Sequence, residues 1–138
     1  MIALISLPIL LPLFGAALAI GLGRWRVAQR LVSIITLTTV TATSVALLIR
    51  VDHDGAAAVH AGGWSAPIGI TLVADRLAAI MLLVACLMLL AVLVFAVGQP
   101  GAERQHVGFH PVYLILTAGI AMVFLTGDLF NLFVAFEV

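Results

Sequence analysis

One acid, Glu137, closes a stretch from Leu129 to Phe136 whose only polar side chain is Asn131, and nine residues separate it from Asp128. On a helix that separation spans roughly 13 to 14 Å, about half of a ~30 Å hydrocarbon layer. An acid near the bilayer midplane costs on the order of 2.5 to 3.5 kcal/mol, taking glutamate to behave as aspartate does, so it must face protein or water and find a partner. By binding and releasing a proton, such a carboxyl group can serve as a relay. Asp128 is placed to cap the start of the same helix. Asn131 lies about 120° around from Glu137, so the two do not share a face, and it is expected to bond to another helix. His110 precedes Pro111 and follows His106 by four residues, which reads as a surface pair at a helix start. Either imidazole can titrate near neutral pH, but no third ligand is at hand for a metal. His53 and His60 fall in a loop and carry little information. The single cysteine, Cys86, lies in an apolar run and reads as a packing residue. With no glycine-rich phosphate loop and no nucleophile elbow, neither an enzyme nor a cofactor is expected.

The elements that must position these groups follow from composition. The chain has 138 residues, 64% hydrophobic and 9% charged, with a mean hydropathy of +1.32. Soluble domains carry about 25% charged residues, so a water-soluble enzyme, a nucleic-acid binder and a disordered tail are excluded together. Every basic residue is arginine, and as many acids balance them, so no basic patch exists to recruit nucleic acid. Uncharged gaps then predict an all-α polytopic membrane protein with helices over 2–23, 31–49, 77–97 and 110–127 and the start of a fifth over 128–138. The first gap lacks a basic residue ahead of it, so it reads as a retained helix and not a signal peptide. Arg24, Arg26, Arg30 and Arg104 on one side, against Arg50 and Arg76 on the other, place the amino terminus outside the cell membrane.

Finer expectations attach to each element. The outside loop 50–76 contains Gly62, Gly63, Pro67 and Gly69 and the β-branched run Ile68 to Ala74, which predict a short β-hairpin or extended segment; Trp64 suits the membrane interface. Ser33, Thr36, Thr39, Thr43 and Ser44 share an arc of about 140° that would pack on protein. Gly15, Ala19 and Gly23 form a small-residue stripe for close helix approach, and Pro8 and Pro12 are candidate kinks. Gly127 is expected to end the fourth helix in a left-handed cap. Val138 would leave a terminal carboxylate beside Glu137 in mid-membrane, so the sequence reads as the amino-terminal piece of a longer protein.

The run FLTGDLFNLFVAFE (124–137), with Gly108-Phe109-His110-Pro111, Gly62-Gly63-Trp64 and Val73-Ala74-Asp75, resembles the D subunit of Mrp-type cation/proton antiporters. That family is similar to the antiporter-like subunits of respiratory complex I. The resemblance implies about fourteen helices in the whole protein, partner subunits in a hetero-oligomeric complex, and exchange of sodium or another monovalent cation for protons. It also implies that Glu137 is the proton-translocating glutamate of the fifth helix, with partner lysines on later helices. Ala135 departs from the pattern, where relatives often carry a bulkier residue. Two other readings share the features: a proton-pumping subunit of complex I or a membrane hydrogenase, and a structural or assembly subunit that transports nothing.

Overall fold

The apolar gaps fold as helices. The computed structural model describes residues 2–60, 63, 69–99 and 108–138. Their elements are α1 (Ile2–Gly21), α2 (Arg26–Asp54), β1 (Ala57–His60), β2 (Thr71–Ala74), α3 (Arg76–Gly98), α4 (Phe109–Leu125) and α5 (Leu129–Glu137). α1, α2 and α3 are long and apolar enough to cross a membrane, and α4 is a shorter apolar helix of 17 residues, about 26 Å long. The chain is a helical membrane protein, as its composition requires.

Helix ends depart from the charge-free gaps for a physical reason. A charge ends the part of a helix that can lie in hydrocarbon, but it does not end the helix. α2 therefore overruns the predicted 31–49 at both ends and carries Arg26, Arg30, Arg50, Asp52 and Asp54 on its outer turns. There Arg50 meets Asp54 at 3.2 Å, and Arg76 at the start of α3 meets Asp52 at 2.7 Å. Both pairs are exposed, so each contributes little stability. α1 stops at Gly21, and the Gln29 amide donates to the carbonyls of Ala19 (2.8 Å) and Gly23 (3.0 Å), which covers acceptors left open at the helix end. Pro8 and Pro12 are both buried inside α1, and the helix continues through them.

α1 packs on α2 and α4, and α3 packs on the same two, so the four helices close into a ring; α5 packs chiefly on α4. One buried cluster, around Ile5, Val40, Leu47, Leu72, Leu82 and Leu125, lies toward the hairpin; another, around Ala16, Leu37, Leu93 and Leu114, lies toward the opposite end. Gly15 sits at a tight contact of α1 with α2, since a Cβ there would lie 2.7 Å from Thr36 Oγ1. Ala19 is fully buried, but Gly23 lies beyond α1 at φ 44° with nothing near its missing side chain, so it is not part of the contact. The hydroxyl arc of α2 also divides. Ser33 and Ser44 are buried, whereas Thr39 is exposed and donates to the Ile35 carbonyl at 2.8 Å. A threonine satisfied by its own helix has no need of a protein neighbour.

β1 and β2 pair antiparallel with Ala57 opposite Ala74 and His60 opposite Thr71. The sequence predicts this hairpin from the β2 side; the alanine-rich β1 offers no β-branched pattern to read. Gly62, Trp64, Pro67 and Ile68 lie outside the described residues, as do Glu103, Arg104 and His106.

Candidate functional site

The turn between α4 and α5 decides where Glu137 goes. α4 ends at Thr126 with an extended backbone (φ −70°, ψ 138°), and Gly127 is not among the described glycines of positive φ. The left-handed cap expected at Gly127 is therefore corrected. Glycine is required there by close approach: its N–H donates to the Thr71 carbonyl at 2.8 Å, Leu72 bridges to Thr126, and a Cβ would fall 2.6 Å from Val73 Cγ2. β2 lies directly on the turn.

Asp128 caps α5 as predicted. Its carboxylate accepts the Asn131 backbone N–H at 2.7 Å, and the Asn131 side-chain amide donates to it as well. Asn131 is buried and bonds within its own helix cap, which corrects the expected bond to another helix. The spacing of three residues brings its amide back to the cap, and a local bond needs no second element to be ordered. These bonds hold the Asp128 carboxyl below its usual range, the Asn131 backbone N–H first, against a smaller desolvation effect, with its side chain and the Thr71 and Phe130 backbones adding to it. A carboxyl group lowered on folding stabilises the fold above its ordinary value and loses that contribution as pH falls through the lowered one. Asp128→Ala is thus expected to lower the melting temperature in detergent more than Asp128→Asn, which can still cap. The gap between wild type and Asp128→Ala should close as pH drops below about 4. A gap that stays constant down to acid would show that the carboxylate contributes nothing as a charge.

From this cap α5 runs back along α4. Ala135 and Val138 meet Gly119, where a Cβ would lie 3.4 Å from the Ala135 carbonyl oxygen and 3.6 Å from Val138 Cγ1. Gly119 is near the middle of α4, so Glu137, next to Val138, comes to rest level with the middle of that helix. Small residues on both sides allow that approach, and a bulkier group at 135 would have to fit the same seam. Asn131 and Ala135 are the buried face of α5. Glu137 is exposed, and it shares its side with Phe130 and Phe133 within about 40°. Among the described residues no basic group pairs with it. A cleft of about 510 Å³ between α3, α4 and α5 is bounded by Ala85, Ile120, Phe124, Phe136 and Val138. Its walls are apolar, so it offers a proton no path.

His110 is elsewhere, at the end of the bundle away from the hairpin. It is 3% exposed, with Nδ1 3.0 Å from Ser33 Oγ, and Phe109 meets it edge-on at 5.3 Å. The expected surface histidine is therefore a buried contact between α4 and α2. Gly108 (φ 84°) turns the chain into α4 and sets His110 in the first turn. Only the fold, which brings Ser33 across from a distant stretch, could reveal that partner. Tyr113 stacks on Phe109 and donates to the Leu89 carbonyl at 2.7 Å. Cys86 is buried beside Ser44 at 3.5 Å, a packing role as expected. The described residues contain no group of three or more candidate metal ligands.

No protein-family profile matches the chain, but individual proteins do. It is 38% identical over 135 residues to the D subunit of the Na(+)/H(+) antiporter of Alkalihalophilus pseudofirmus, covering 98% of this chain and 27% of that protein. The D subunit of the Na(+)/H(+) antiporter of Bacillus subtilis is 34% identical over 133 residues, 96% of this chain and 27% of the relative. In Rhizobium meliloti the D subunit of a probable K(+)/H(+) antiporter is 38% identical over 141 residues, 97% of this chain and 26% of the relative. Along nearly its whole length, then, the chain is a relative of the D subunits of cation/proton antiporters, and it spans about a quarter of the length of those it matches.

Proposed function

We propose that this chain is the part of a monovalent cation/proton antiporter subunit in which Glu137 binds and releases the transported proton. The observation that carries the reading is the α4–α5 hairpin, whose seam at Gly119 sets the chain's one acid of α5 beside the middle of α4. The relatives' names supply the transport class, and they include both sodium and potassium antiporters. With Arg24, Arg26 and Arg30 in the cytoplasm, the amino terminus and the β-hairpin lie outside, and the buried His110–Ser33 pair lies at the cytoplasmic end. Asp128 and Asn131 act in support by fixing the start of α5. The Phe130, Phe133 and Glu137 side is turned outward, where further helices of the protein or partner subunits of the complex would cover it.

The test uses inside-out membrane vesicles carrying the full-length subunit with its partner subunits. After respiration acidifies the lumen, added Na+ or K+ is expected to release protons, read as recovery of a pH-sensitive dye. Proton movement that ignores both cations but follows quinone reduction would overturn the antiporter reading in favour of a redox-driven pump.

A further inference from the structure

We propose that Gly127 is a positioning residue for Glu137: β2, closed over this glycine, seats the α4–α5 turn and so sets the depth and rotation of α5. The inference rests on the reading of Glu137 as the proton relay, and it assigns the β1–β2 hairpin a part in transport. α5 starts directly from this turn and packs chiefly on one neighbour, α4. Its placement therefore depends heavily on how it begins. Two contacts hold that beginning, the Gly127 N–H on the Thr71 carbonyl at 2.8 Å and the bridge between Leu72 and Thr126. Both come from one four-residue strand.

The fit leaves no room for a methyl group. At Gly127 a Cβ would lie 2.6 Å from Val73 Cγ2 and 3.1 Å from the Thr71 carbonyl oxygen, and Cβ atoms essentially never approach below 3.0 Å. Because φ at Gly127 is not in the left-handed region, alanine would suffer no backbone strain, and its whole effect would be to push turn and strand apart. Displacement at the first residue of a rigid helix is carried to its last. A misplacement of about 1 Å at a reacting group can cost on the order of 100-fold in rate.

The experiment compares Gly127→Ala with Gly127→Ala/Val73→Ala in the full-length subunit within its complex. The second change removes the methyl that the first one strikes. Seating of α5 is read by a cysteine pair, Gly119→Cys/Val138→Cys, with Cys86 and any other cysteine replaced. A Cβ at Gly119 lies 3.7 Å from Val138 Cβ, which matches the separation in a disulfide. Oxidation is expected to close this bond readily in the wild-type background, several-fold more slowly with Gly127→Ala, and readily again in the double variant. Cation-driven exchange should fall roughly 10- to 100-fold with Gly127→Ala and recover in the double variant. The pH of half-maximal exchange should also move in Gly127→Ala, since the carboxyl group then sits in changed surroundings, and mere loss of protein would not move it. Unchanged cross-linking and exchange in Gly127→Ala overturn the proposal, and so does a double variant that recovers neither while assembling normally. Wild-type exchange in Glu137→Gln alone removes the relay reading and with it the consequence for transport. The cross-linking result still decides whether the strand seats α5.

Discussion

Glu137→Gln in the full-length subunit is expected to reduce cation-driven proton exchange by at least about 100-fold, the lower end of what a positioned proton-transfer group contributes being roughly that size. Glutamine keeps the length and the hydrogen-bonding capacity of the side chain, and it cannot gain or lose a proton. On the proposed placement, removing the acid from mid-membrane also makes insertion easier, so the amount of assembled complex should not fall. Glu137→Asp retains the proton but withdraws it by one methylene, and an intermediate rate is expected. The measurement is dye-reported exchange in vesicles, normalised to assembled subunit on a gel. Exchange at the wild-type rate in Glu137→Gln would sink the relay reading and leave this chain a structural role in the complex. A loss that is equal in glutamine and aspartate variants, with little complex assembled, would point to folding and not to the proton.

How much of this is legible in the sequence depends on whether the determining contact is local. The cap at Asp128 is set by residues within one helical turn, and spacing alone locates it; the same spacing supplies the expected depth of Glu137. The membrane helices are legible because uncharged length is a property of a single segment. Gly127 shows the limit. Its residue type suggests a backbone reason, yet the cause is Val73 on a strand from another loop, and nothing in the local sequence reports it. His110 and Ser33 escape in the same manner, since each is ordinary at its own position and only their meeting buries the imidazole. Asn131 escapes for the opposite reason: the nearby cap satisfies it before any distant partner can. The stripe of Gly15, Ala19 and Gly23 is two-thirds legible because periodicity gives a face but not the end of the helix, and Gly23 lies past that end.

Gly15→Leu is expected to be the most damaging single change in the bundle. At Gly15 even a methyl group would meet Thr36 Oγ1 at 2.7 Å, Thr36 Cγ2 at 3.1 Å and Leu114 Cδ1 at 3.2 Å, so the position faces α2 and α4 at once. In lipid no hydrophobic force drives helices together, and close packing must do it; a side chain that holds α1 away weakens two helix contacts at the same time. Overpacking of this kind costs about 1–3 kcal/mol, and more where the neighbour cannot give way. Thr36 yields poorly, because a β-branched side chain in a helix has few rotamers to retreat to. The full-length subunit with Gly15→Leu should therefore melt well below wild type in detergent and assemble poorly. Gly15→Ala should lie between them, and adding Thr36→Ala to Gly15→Ala should restore most of the loss, because it removes both atoms of the nearest contact. If Gly15→Leu melts with the wild type, α1 is not seated on α2 at this glycine, and the closed ring of four helices is wrong. If instead Gly15→Ala is destabilised and Thr36→Ala gives no relief, the clash that matters is with Leu114, and α4 is the contact that fixes α1.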